Sequence, residues 1–194
     1  MPFVPGWEQF RSVLAFISLK NEIDTRPILE TSLNTGKRLF VPAINGDDLV
    51  FYRITALSAA ETGSALPAGL AADLPAGGEI LNTADFPALV ITPGLAFDQT
   101  GNRLGRGRGF YDRFFAALNA GKLPGAADSP AEQALPYTAL GLCLNCQFVT
   151  MVPTEKHDRR MDGMLGLKLR RYPFSVPGEK ACFLNVGQTQ DTGG

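Results

Sequence analysis

The sequence predicts an α/β fold, a three-layer, Rossmann-like domain whose mostly parallel sheet carries helices on both faces. Three observations predict it. Short apolar runs recur at 12–18, 37–42, 87–93 and 137–144. Segments with helical periodicity lie between such runs, not gathered at one end of the chain. The runs are apolar along their length, as strands covered on both faces are. A chain of 194 residues, 45% hydrophobic and 19% charged, suffices for one domain around one good core. The expected domain therefore runs 1–194, with a frayed tail over 172–194 that ends "GQTQDTGG".

The elements follow in order. "SVLAFIS" (12–18) reads as a buried strand. A helix follows, with Thr25 as N-cap and Pro27 in its first turn. Ile28, Leu29 and Leu33 give it an apolar face, and Gly36 ends it. "KRLFVP" (37–42) and "DLVFYRI" (48–54) are the next strands, with a turn at Asn45-Gly46 between them. Residues 59–85, rich in Ala, Gly and Pro, read as an irregular excursion. "PALVITP" (87–93) is a strongly apolar strand. After a loop over 94–109, "GFYDRFFAALNAG" forms a helix with Phe110, Phe114, Ala117 and Leu118 on one face and Gly121 as its stop. "YTALGLCL" (137–144) is another buried strand, and a shorter strand-like piece and a polar loop follow. No internal repeat is present.

Composition narrows the function. A net charge of -1 gives no field that would draw the chain to nucleic acid or a membrane. No run of roughly 20 apolar residues is available to span a bilayer, and the N-terminus lacks the pattern of a signal peptide. Three cysteines, an odd number, favour a reducing compartment, so a cytoplasmic location is expected. Cys143 and Cys146 form C-x-x-C without a second pair and are expected to be buried apolar cysteines; Cys182 is read as incidental. His157, the only histidine, leaves neither a His-based zinc site nor a Ser-His-Asp triad easy to assemble.

The densest local charge is "RLGRGRGFYDRFF" (103–115), where Arg103, Arg106, Arg108 and Arg113 are interspersed with Gly105, Gly107 and Gly109. It lies between a strand and a helix, where unpaired backbone N–H groups and the helix dipole attract anions. Glycines permit close approach of backbone to ligand, and arginines grip phosphate oxygens in bidentate fashion. No Gly-Lys-Ser/Thr closes the loop, so it is not a Walker A loop. The long loop and the lack of an acidic partner about 20 residues on argue against a dinucleotide fingerprint. Asp112 either caps the helix or holds a hard cation that bridges to phosphate; the residues alone leave both open.

"PGLAFDQTGNRLGRGRGFYDRFF" (93–115) closely resembles the central motif of the 5-formyltetrahydrofolate cyclo-ligase family, also called methenyltetrahydrofolate synthetases. "FISLKNEIDTRPIL" (16–29) resembles its early strand and the Glu-x-x-Thr after it, "GKRLFVP" (36–42) its second strand, and "VPTEKHDRRMDGML" (152–165) its late Pro-x-x-x-His-Asp loop. The resemblance runs over most of 12–165. It implies a fold like that of ribose-phosphate isomerases and an ATP- and Mg²⁺-dependent conversion of 5-formyltetrahydrofolate to 5,10-methenyltetrahydrofolate. It implies that Arg103, Leu104, Gly105, Arg106, Gly107, Arg108, Gly109, Phe110 and Tyr111 wrap the ATP phosphates. Arg106 and Arg108 lie nearest the transferring group, and with Tyr111 they are the expected catalytic set. Residues Arg106 to Phe110 also border the folate formyl group, Glu22 hydrogen-bonds the pterin, and Ile17 packs against it. Asp112 and Asp158 hold Mg²⁺ directly or through water, with Asp162 the alternative to Asp158 and His157 structural. Phe51 or Tyr52 is a candidate for lining the folate cleft, and Tyr111, not Phe110, is expected to turn toward ligand. The expected partners are reduced folate and ATP, bound by a monomer.

One departure accompanies the resemblance. The family opens with a helix carrying a basic Lys-x-x-x-Arg-type motif that contacts ATP, whereas Met1 to Arg11 contains one arginine and no lysine. Losing one charged hydrogen bond to phosphate weakens binding by about 1.5–3 kcal/mol. The competing readings are a non-catalytic nucleotide- or folate-binding protein of the same fold and, by fold analogy alone, a sugar-phosphate enzyme.

Overall fold

The structure, a computed structural model, describes residues 4–18, 22–57, 78–125, 133–155, 158–167 and 182–185. In chain order its elements are β1 (Ser12–Ala15), α1 (Arg26–Asn34), β2 (Arg38–Asn45), β3 (Asp48–Ile54), β4 (Ala88–Thr92), β5 (Ala96–Asp98), β6 (Arg103–Leu104), α2 (Phe110–Asn119), β7 (Tyr137–Leu144), β8 (Phe148–Val149), β9 (Gly163–Leu167) and β10 (Cys182–Asn185). Seven strands form one sheet in the order β10-β9-β7-β4-β1-β2-β3. Five are mutually parallel, from β9 through β2, with antiparallel β3 and β10 at the edges.

Alternation along each strand sorts the core into two layers, as the pleat requires. On one face Leu14, Phe40, Phe51, Val90 and Ala139 pack under Phe114, Phe115 and Leu118 of α2. On the other, Val13, Ala15, Leu39, Leu89, Ile91 and Leu140 meet Ile28 and Leu29 of α1 and the aromatic pair Trp7 and Phe10. Helices therefore cover both faces. Each fully buried Phe or Leu of α2 contributes roughly 1.5–3 kcal/mol. Phe115, absent from the face expected of α2, is fully buried, while Phe110 and Tyr111 are partly buried against the same cluster. Phe51, a candidate for the folate cleft, instead lies in this core with its ring centroid 4.7 Å from that of Phe114.

Local chemistry explains the boundaries. The β2–β3 register pairs Asn45 with Asp48, so a two-residue turn joins the strands as Asn-Gly predicts. Thr25 sits at the start of α1 but makes no capping bond. Its hydroxyl accepts from the Ser18 amide (3.1 Å) and meets Ser18 Oγ (3.3 Å), which ties the segment after β1 to the helix. Within the expected tail, Cys182–Asn185 pairs antiparallel with β9 at the sheet edge. Most of the 59–85 excursion falls outside the described residues, but Asn82 caps a short turn over Thr83–Asp85, and buried Asp85 pairs with Arg38 at 2.9 Å. Among the described residues no helix is long and apolar enough to cross a membrane.

A second, three-stranded sheet, β6-β5-β8, joins two short strands from within the 94–109 loop to β8, the short strand-like piece expected after 144. Phe97 docks it on the main sheet. Its ring rests where Gly94 and Gly141 lack side chains, and a Cβ at Gly141 would lie 2.5 Å from Phe97 Cε1 and 2.7 Å from Met164 Sδ. Gly141→Ala is therefore expected to destabilise the domain by about 1–3 kcal/mol through overpacking. A thermal midpoint lowered by several degrees checks it; an unchanged midpoint rejects this account of the docking.

Candidate functional site

The chain leaves β1 toward β2 on one side, and β4 lies on the other. The carboxyl ends of β1 and β4 therefore flank a topological switch point, where open parallel sheets bind ligands. Two segments meet there: the one after β1, carrying Ile17 and Glu22, and the long loop after β4, which ends at α2. They are joined directly, because Arg106 Nη2 donates to Glu22 Oε1 at 2.6 Å. Arg106 is 64% exposed and Glu22 22%. Ile17 is half-buried against the apolar layer beneath.

The loop is shaped by its glycines. Gly107 (φ 79°) and Gly109 (φ 62°) occupy the left-handed region, which other residues adopt at a cost. Gly109 is the N-cap of α2, so the amides of the helix's first turn open onto the loop. Gly105 lies against Arg103, whose Nη1 would be 2.9 Å from a Cβ there. Leu104 is more than a third exposed, and its carbonyl accepts from the Leu95 amide at 2.7 Å.

The arginines divide into two kinds. Arg106 and Arg108 are exposed, and the Arg108 guanidinium lies 5.8 Å from the Phe110 ring centroid. Arg103 is turned inward and only 6% exposed. Its Nη2 donates to both Asp112 oxygens (3.0 and 2.9 Å), and its guanidinium lies 5.6 Å from the Tyr111 ring centroid. Arg103, expected to grip phosphate, thus engages Asp112 through its fork, in a nearly buried position where leaving it unpaired would be costly.

Tyr111, expected to turn toward ligand, is packed inward. Its ring packs against the α2 core layer, and its hydroxyl oxygen is buried without a partner among the described residues. Burial above all raises its pKa, with Arg103 opposing, so the phenol stays protonated. It is placed as a support beneath Arg103, not as a group turned to solvent. Phe110 stands at the helix start, partly buried against the same core layer, with Arg108 and Arg113 both over its ring.

Of the carboxylates expected to serve a metal, Asp112 lies on α2 and Asp158 on the loop before β9. Asp112 Oδ1 also faces the Arg159 amide at 3.5 Å, so Asp112 borders the loop that carries Asp158. Asp158 is half-buried, and its Oδ2 accepts from the Glu155 amide at 2.7 Å. Asp162 is used elsewhere: Oδ2 accepts from the Ala139 amide (2.8 Å) and Oδ1 from Arg159 Nη2 (2.8 Å). It ties β9 to β7. Among the described residues no group of three or more His, Cys, Asp or Glu side chains is arranged for a metal. His157 lies outside the described residues. Of the C-x-x-C pair, Cys143 is buried as expected, but Cys146 is exposed.

Sequence reasoning missed Asp98 and Arg113. Asp98 is 2% exposed and organises the turn 98–102. It accepts from Thr100 N and Oγ1 (2.9 and 2.7 Å), Asn102 N and Nδ2 (3.1 and 2.9 Å) and, across the site, Val152 N (2.9 Å). Burial pushes its pKa up, but these donors prevail and hold it at about 2. The run Asp98-Gln-Thr-Gly-Asn102 was a legible signal, since Asp bonding the backbone two residues on is an Asx turn.

Residues 4–166 match the family model described as the 5-formyltetrahydrofolate cyclo-ligase family. The chain is 25% identical over 170 residues to the probable 5-formyltetrahydrofolate cyclo-ligase of Schizosaccharomyces pombe, covering 84% of this chain and 78% of that protein. It is 25% identical over 163 residues to the 5-formyltetrahydrofolate cyclo-ligase of Mus musculus, covering 82% and 74%. The solution structure of the Aquifex aeolicus 5,10-methenyltetrahydrofolate synthetase superposes with a TM-score of 0.55 at 24% identity, covering 90% of this chain and 79% of that one, and so shares its fold.

Proposed function

The chain belongs to the 5-formyltetrahydrofolate cyclo-ligase family, and from that premise we propose that it cyclises 5-formyltetrahydrofolate to 5,10-methenyltetrahydrofolate at the expense of ATP. The observation that carries this reading is the Glu22–Arg106 pair at the switch point. It joins the segment that would receive the pterin to the loop that would receive the triphosphate, so one crevice serves both substrates. Glu22 accepts from the pterin's N–H donors, with Ile17 beneath the ring. Arg106, Arg108 and the α2 amides take the γ-phosphate, and the backbone from Leu104 to Gly109 follows the remaining phosphates.

The formyl oxygen attacks the γ-phosphorus and ADP leaves. The second amine nitrogen of the folate then attacks the activated formyl carbon, its proton passes to solvent, and phosphate departs as the ring closes. Negative charge spreads over the transferring oxygens, so exposed guanidinium groups and helix amides aimed at them lower the barrier. Little protein acid–base chemistry is needed, which suits a site whose phenol is buried and protonated and whose groups proposed to meet the γ-phosphate are arginines and backbone amides. Gly107 and Gly109 bring the main chain close enough for its amides to share the work.

The donor set suits Mg²⁺, which takes one or two carboxylates together with phosphate oxygens and water. In this reading Asp158 holds the ion. Asp112, with both oxygens engaged by Arg103, acts through water. The ion, when bound, neutralises charge on the phosphates. Asp158→Asn is expected to raise the Mg²⁺ concentration for half-maximal turnover roughly 10-fold, and an unshifted Mg²⁺ titration removes Asp158 from the site. The reading as a whole is tested by incubating the protein with 5-formyltetrahydrofolate, Mg²⁺ and ATP and following the near-ultraviolet absorbance of the methenyl product. Saturable binding of either ligand without ATP-dependent product would favour a non-catalytic binding protein. A cytoplasmic monomer remains part of the proposal, and light scattering checks the oligomeric state.

A further inference from the structure

We propose that Arg113 is a positioning residue for the reaction, clamping the glycine-arginine loop to the tip of the β2–β3 hairpin. Arg113 lies in the first turn of α2, and its side chain bridges two loops that are far apart in sequence. Nε and Nη2 donate to the Asp47 carbonyl at 3.1 and 2.7 Å, and Nη1 donates to the Arg108 carbonyl at 2.9 Å. The guanidinium also lies 5.1 Å from the Phe110 ring centroid. It is therefore engaged on its edge by carbonyls and on its face by an aromatic ring, the geometry for which a planar fork is suited and an ammonium is not.

The clamp acts at the loop's most pliable point. Arg108 stands between Gly107 and Gly109, both with positive φ, so little in the loop itself fixes the 108–109 peptide. In a trans peptide the carbonyl and the following N–H point in opposite directions. Holding the Arg108 carbonyl toward Arg113 thus fixes the direction of the Gly109 N–H at the entrance to α2. It also fixes the backbone from which the Arg108 guanidinium extends. Gly109 leaves room for this, since a Cβ there would lie 3.2 Å from Arg113 Nη1. The Asp47 contribution is a backbone carbonyl, so the hairpin serves as a rigid anchor and its side chains add nothing to the clamp.

The kinetic part rests on the cyclo-ligase reading; a second measurement does not. Arg113→Met keeps the apolar stem over Phe110 and removes every donor, whereas Arg113→Lys restores the charge but not the two-carbonyl bridge. Misplacing a reacting group by about 1 Å costs up to roughly 10²-fold, so kcat/KM for ATP should fall ~10-fold or more in both variants. KM for 5-formyltetrahydrofolate should change less than that for ATP, since the loop reaches the segment after β1 through the single Arg106–Glu22 bond. Independently of turnover, hydrogen exchange at the amides of 105–109 in the full chain without ligand should quicken in Arg113→Met while β4 and β7 keep their protection. Unchanged exchange in that loop overturns the proposal, as does wild-type kinetics in Arg113→Lys, which would reduce Arg113 to a charge. A wild-type chain without ATP-dependent turnover sinks the cyclo-ligase reading and leaves the exchange result to decide the clamp.

Discussion

Arg106→Ala is expected to lower kcat about 10²-fold, the usual cost of deleting one donor aimed at charge that develops in the transition state, while the thermal midpoint barely moves. The two halves of that prediction come from the same geometry. Arg106 is 64% exposed, and its partner is a single carboxylate at the rim of the crevice. An exposed pair of this kind contributes about 0–1 kcal/mol to folding, so the arginine is not there to hold the fold. Its value lies in being free to change partners: a γ-phosphate offers the guanidinium bidentate oxygens, whereas Glu22 engages it through one 2.6 Å bond. Arg106→Lys should recover only part of the rate, because an ammonium supplies a point charge without the fork. Steady-state kinetics with both substrates varied, alongside a thermal melt, checks the prediction. A folded Arg106→Ala protein with wild-type kcat and ATP affinity would remove the phosphate role.

Arg103 sits three residues away in the same motif and behaves oppositely, which marks the limit of what the sequence could convey. Spacing showed four arginines among three glycines, and nothing in that pattern separates the one that turns inward from those that stay in solvent. The difference arises from β6, a two-residue strand that pairs with β5 and directs Arg103 under the loop onto Asp112. Strands that short carry no periodicity to read. The main sheet was legible because β1, β2, β4 and β7 are apolar on both faces. The edge strand β10 was not, since the composition of the last residues resembles a tail and its pairing with β9 is a tertiary event. The same holds for the carboxylates. Sequence proximity left Asp162 as an alternative to Asp158, and only the pairing of β7 with β9 shows Asp162 bonded to the Ala139 amide and Arg159. Arg113 looked like one more member of a basic run because its acceptors are backbone carbonyls, which leave no trace in the identity of the residues that carry them.

Asp98→Asn should have the largest effect on stability, and its size should depend on pH. The carboxylate is 2% exposed and is surrounded by the donors of Thr100, Asn102 and Val152. Its pKa of about 2 in the folded protein lies below that of an unfolded aspartate, about 3.9. A depressed carboxylate pKa stabilises the fold above the unfolded value, and that share is lost as pH falls through the folded one. The window is therefore about pH 4 down to about pH 2, and the share is on the order of 2 kcal/mol. An amide in the same place presents one acceptor oxygen and two donors to groups that are themselves donors. At neutral pH the variant should then lose at least that amount, with about 1–3 kcal/mol more for each buried N–H left unpaired. For a chain of this length each kcal/mol corresponds to roughly 2–4 °C. Toward pH 2 the wild-type carboxyl becomes about half protonated, so the gap between the two proteins should narrow. Denaturant midpoints measured from pH 7 to pH 2 give that gap directly, and one that stays constant would refute the role of the charge. The loss should also reach the site. The Val152 amide is held by Asp98 and the Met161 amide by the Gly101 carbonyl at 2.8 Å, so the loop that carries Asp158 hangs from this turn at both ends. Turnover that falls further than the remaining folded fraction explains, with a raised Mg²⁺ requirement, is the expected signature of a metal loop that has lost its anchor.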